Sequence, residues 1–98
     1  MKATRRPRVK ICCISSVEEA ALAVEAGASA LGLVSQMPSG PGVITDQQIA
    51  EIASTVPPGI GTFLLTSRQS VTDIIQQHSF CRTNTIQIWV VGCFQFDP

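Results

Sequence analysis

Several things this chain has little of narrow what it can be. Charged residues make up 14% of its 98 residues, and acids and bases cancel. Hydrophobic residues reach 45%, so the composition excludes a disordered chain and suits one compact domain with a modest core. No apolar run approaches the ~20 residues of a membrane-spanning helix. The basic start, MKATRRPR, is not followed by an apolar stretch of secretory type, so no signal peptide is expected and the expected location is cytoplasmic. There is one histidine, His78, and the cysteines at 12, 13, 81 and 93 contain no C-x-x-C pair. A tetrahedral zinc site lacks its usual ligands, and no metal is expected. The expected thiols are reduced, and adjacent Cys12 and Cys13 in a strand point to opposite faces, which argues against a bond between them.

Charge is nonetheless unevenly placed. Five of the seven basic residues lie in the first ten positions, and no acid precedes Glu18. Residues 1–8 read as a solvated basic arm. It has no interleaved aromatics to stack bases, so nucleic acid is not an expected partner, and neither is a membrane. Residues 9–91 read as the domain and 92–98 as a tail.

Within the domain a strand–helix rhythm repeats. Residues 8–14 are a β-rich apolar run. Ser16-x-x-Glu19 has the form of a capping box, followed by a helical stripe at Val17, Ala20, Ala21 and Val24, with Gly27 at the expected helix end. ALGLVS (30–35) is a second strand. Thr45-x-x-Gln48 caps a second stripe at Ile49, Ile52, Ala53 and Val56, closed by Pro57-Pro58. GTFLLT (61–66), a helix capped by Ser70 with Val71, Ile74, Ile75 and His78 on one face, and TIQIWVV (85–91) complete the order β-α-β-α-β-α-β. Apolar strands alternating with amphipathic helices imply a parallel sheet with right-handed crossovers. The fold class is therefore α/β, either an open sheet or part of a (β/α)8 barrel. No G-x-G-x-x-G follows the first strand, where ICCISS stands instead, and this leans toward the barrel. The loop Ser39-Gly-Pro-Gly42 lacks the lysine of a phosphate loop and reads as a turn. His78 reads as a helix-end residue, and Trp89, Phe94 and Phe96 as core or an exposed apolar patch.

Val9-Lys-Ile-Cys-Cys-Ile-Ser15, the helix SVEEAALAVEAGA and SALGLV resemble the opening of phosphoribosylanthranilate isomerase, whose first strand reads K-I-C-G-I-T before a G-A-D-A-L-G-like second. The likeness runs from Val9 to Ile88 and covers the first half of a barrel, as in a divergent branch of that family. It implies a parallel (β/α) half barrel of TIM type and the Amadori rearrangement of tryptophan biosynthesis, an aldose–ketose isomerisation that uses no cofactor. The implied substrate is a small phosphorylated sugar derivative. By the motif Cys12 is the general base, with Lys10 on the same strand and Gln87 on the fourth as substrate contacts; Cys13 replaces the family's glycine. On residue type alone both cysteines are also compatible with plain core.

Three departures shape the expectation. The second loop has no counterpart of the family's arginine, and Trp89-Val90 stand where His-Gly is usual. No fifth strand with its acid follows, as after a truncation or frame change. The expected state is an isomerase-like chain inactive alone, needing a complementing half barrel or a homodimer. The alternative is a non-enzymatic fragment that associates through exposed strand edges.

Overall fold

A computed structural model describes residues 7–38 and 40–89. Four strands and three helices alternate: β1 (Lys10–Ile11), α1 (Val17–Glu25), β2 (Ala30–Val34), α2 (Asp46–Thr55), β3 (Gly61–Thr66), α3 (Val71–Cys81) and β4 (Thr85–Ile88). The sheet order is β1-β2-β3-β4 and every pairing is parallel. This is the alternating α/β order and parallel sheet expected from the rhythm, in the half-barrel form that the resemblance implies.

Local chemistry explains where the helices start. Ser16 accepts from the Glu19 amide, and Ser70 from the Asp73 amide. Thr45 and Gln48 form a reciprocal capping box. The box expected at Ser16 is only half formed. The Glu19 carboxylate accepts from the Ser15 amide and hydroxyl, both at 2.8 Å, one residue earlier than the reciprocal pattern requires. Those bonds hold the Glu19 carboxyl below its usual range, the amide contributing most.

Side chains facing the helices form the core. Leu31, Leu33 and Leu64 are fully buried against Ala20, Ala23, Ile49, Ile52 and Cys81. Burial pushes the Cys81 thiol up to about 11, and the Asp46 carboxylate adds to the shift. Polar groups reaching this side are satisfied: Thr66 donates to Gln77 Oε1, and Gln77 Nε2 donates to Asp46 Oδ1 at 2.9 Å. Asp46 also pairs with Arg68 at 3.4 Å. This chain of contacts ties the end of β3 to the start of α2 and the middle of α3.

The structure differs from the sequence reading in two places. The first strand stops at Ile11, not residue 14, because Cys13 takes a left-handed conformation with φ 61°. The chain then returns to β2 through the Ile14 amide, which donates to Gly32 O. In α3 the buried positions are Ile74, Gln77 and Cys81, whereas Val71 and Ile75 are 72% and 57% exposed. Of the expected stripe Ile74 is buried, and Gln77, tied to Thr66 and Asp46, takes the inner face beside it. The fourth strand runs from Thr85 to Ile88, and Trp89 continues the ladder by donating to Thr66 O. Val90, Val91, Phe94, Phe96, Cys93 and most of the basic arm lie outside the described residues.

Candidate active site on the concave face

Parallel register places one set of side chains on the face of the sheet away from the helices. Lys10 aligns with Ala30 and Gly61, Gly32 with Phe63 and Thr85, and Val34 with Leu65 and Gln87. Cys12 follows β1 directly and joins this set. A Cβ on Gly32 would stand 2.7 Å from Cys12 Sγ and 3.3 Å from Lys10 Cε, so both side chains occupy the space that glycine leaves open. The A-L-G of β2 and the K-I-C of β1 are therefore complementary in shape.

Lys10 leans along the face toward β4. Its ammonium lies 4.6 Å from the centroid of the Phe63 ring and donates to Gln87 Oε1. Gln87, far from Lys10 and Cys12 in sequence, thus shares one face with them across the width of the sheet. Cys12 is exposed at the carboxyl end of β1, the end at which barrels of this type place their chemistry.

Cys13 is exposed too, but it turns away into the β2–α2 loop. Its thiol lies 3.7 Å from Pro41 O, and a Cβ on Gly42 would meet Cys13 Cβ at 2.7 Å. Gly42 itself has φ 83°. The loop read as a turn is thus shaped around Cys13, with Ser39 outside the described residues. His78 has a structural place at the end of α3: its Nε2 donates to Thr83 O, and its carbonyl accepts from Arg82, which closes the helix at φ 58°. Among the described residues no cluster of three or more His, Cys, Asp or Glu could hold a metal, and no helix is long and apolar enough to cross a membrane.

Phe63 is the contributor that sequence reasoning missed. Its strand was recognised, but its position opposite Gly32 depends on the register between strands, which a single sequence does not state.

Comparison with known proteins points the same way. The chain is 48% identical over 59 residues to the N-(5'-phosphoribosyl)anthranilate isomerase of Alcanivorax borkumensis, a match covering 60% of this chain and 27% of the relative. It is 41% identical over 81 residues to the isomerase of Geobacter sulfurreducens, covering 83% of this chain and 39% of the relative. The chain belongs to the phosphoribosylanthranilate isomerase family. It spans about two fifths or less of the length of these relatives and corresponds to their N-terminal part. No family model matches it. Among solved structures, the phosphoribosylanthranilate isomerase of Thermotoga maritima superposes with a TM-score of 0.76 at 29% identity, over 85% of this chain and 40% of that one. An isomerase solved with reduced 1-(o-carboxyphenylamino)-1-deoxyribulose 5-phosphate gives the same TM-score and identity, over 85% and 42%. The half barrel and its family are established together.

Proposed function

We propose that this chain carries the general-base flank of a phosphoribosylanthranilate isomerase site. Cys12 is the base, and Lys10 and Gln87 are substrate contacts. The observation that carries the reading is the convergence of these three side chains on the concave face, with Cys12 at the carboxyl end of β1. The reaction is an Amadori rearrangement. A base removes a proton from the sugar carbon next to the imine carbon, and an acid assists ring opening. A thiolate suits the proton removal when it is accessible, as Cys12 is. The reduced thiol this requires is consistent with a cytosolic protein. The described residues place no acid on the concave face, and on this reading the acid comes from a complementing half barrel.

The test mixes the chain with the C-terminal half of a relative and follows loss of anthranilate fluorescence. Activity is expected only in the mixture, with Cys12→Ala lowering it about 10²–10⁴-fold. A rate indistinguishable from the Cys12→Ala control would sink the reading.

A second reading, self-association, rests on a different observation. β1 and β4 each pair on one side only among the described residues, and Ile86 and Ile88 are 37% and 51% exposed on the helix side of β4. Light scattering after size separation should then give a dimer or larger species. A stable monomer at high concentration rules this out.

A further inference from the structure

Acids gather where bases are missing. Helices α1 and α2 carry five acidic residues and no basic one. Glu19 is engaged with Ser15 and Asp46 with Arg68. Glu18, Glu25 and Glu51 are exposed and make no ion pair among the described residues.

These three rim an apolar groove between the helices. Val17, Ala20, Ala21 and Val24 form one wall and Val56 and Pro57 the other, around a space of about 300 Å³. Glu25 stands at one end, and beyond Val17 the groove runs on to Glu18 and Glu51. An apolar floor gains from being covered, and three carboxylates attract cations, so the surface suits a short segment that is both basic and partly apolar.

The chain carries such a segment itself. Residues 1–6 read MKATRR, with Lys2, Arg5 and Arg6 to set against the three carboxylates and Met1 and Ala3 against the floor. The segment joins the described residues at Pro7, which shares a cleft with Gly27 and Pro58. Gly27 lies two positions beyond Glu25, and Pro58 follows Pro57, so the segment starts beside the groove. Six residues reach at most about 20 Å, and the two helical turns from Glu25 back to Glu18 span about 10 Å. The tether keeps the segment at high effective concentration, so weak contacts suffice.

We propose that the α1–α2 groove is the docking site of the chain's own basic segment, residues 1–6. The groove lies on the helix side, away from Cys12, and its docking is independent of the isomerase reading.

NMR of the full chain with valine methyl groups labelled reads the groove. The Val17, Val24 and Val56 signals should shift when Lys2→Gln, Arg5→Gln and Arg6→Gln are combined, whereas Val71, exposed on α3, should stay in place. Raising the salt to about 0.5 M should carry the parent signals toward the positions in that variant, because exposed charges are then screened. Combining Glu18→Gln, Glu25→Gln and Glu51→Gln leaves the core untouched, and trypsin should then cut after Arg5 about tenfold faster than in the parent chain. The proposal is overturned if the arm variant or salt leaves the three groove valines unmoved, or if trypsin cuts the parent and the acid variant at the same rate. Groove signals that depend on protein concentration would assign the groove to a second copy's segment and overturn docking within one chain.

Discussion

The two faces of this one sheet follow different rules. On the helix side Leu31, Leu33 and Leu64 have no exposed surface, and among the described residues the buried polar side-chain atoms all have partners. On the concave side Lys10, Cys12 and Gln87 gather around a glycine and a phenylalanine, with charge and thiol accessible. Burial of apolar area drives the first face, and nearly any large apolar residue of matching volume would serve there. The second face is specified by small spaces and by reach, so single atoms matter. Stability resides on one side and the proposed chemistry on the other, and substitutions should separate them.

The largest effect should come from the helix side. Leu64→Ala leaves a cavity in the core and should cost about 2–5 kcal/mol in denaturant unfolding, whereas Cys12→Ala, at an exposed thiol, should cost less than about 1 kcal/mol. Equal costs would erase the contrast between the faces.

Gly32→Ala tests the concave packing. Its Cβ would meet Cys12 Sγ at 2.7 Å, so a cost of about 1–3 kcal/mol is expected. A double-mutant cycle with Cys12→Ala should recover much of it, and strict additivity would show that the two residues do not share that space.

The thiols report the faces at different pH. In a Cys93→Ser background, native-state alkylation should modify Cys12 and Cys13 and spare Cys81, which is buried. The raised Cys81 value has a definite sign. Its contribution is fully present below the unfolded value of 9.0 and is lost as pH rises toward about 11, because the unfolded chain ionises first. A decline on the order of 1–2 kcal/mol over that window is expected, and Cys81→Ala should flatten it.

Cys13→Gly should stabilise the fold by about 0.5–1 kcal/mol, since a residue with a Cβ is held at φ 61° and the greater freedom of glycine in the unfolded chain offsets part of the gain. Unfolding at a lower denaturant concentration would contradict this.

The smallest effect belongs to Glu19. Its depressed value means that its support for the start of α1 is present above the ordinary 4.5 and is lost as pH falls through the folded value. Glu19→Gln should remove that acid dependence, read as the pH profile of helix content. An unchanged profile would show that the Ser15 bonds contribute nothing.

Much of this architecture was legible in one dimension because its signals are local. The caps at Ser16, Thr45 and Ser70 and the stripe through Ile49 and Ile52 each depend on neighbours within a turn or two. Cys12, Lys10 and Gln87 could be named from motif residues. Misreadings arose where a distant partner outweighed the local pattern. Gln77 displaced Ile75 and His78 from the inner face of α3 because Thr66 and Asp46 satisfy its amide. β1 ended early because the chain turns at Cys13 around Gly42.

The sequence by itself determined the order of strands and helices, the parallel sheet and the cysteine to watch, since periodicity, capping and motif are properties of contiguous residues. Only the tertiary structure decided that Lys10 reaches Gln87 across Phe63, that Gly32 makes room for Cys12, and that Cys13 turns away. Those facts follow from the register between strands and from the space between side chains, and both exist only once the sheet has formed.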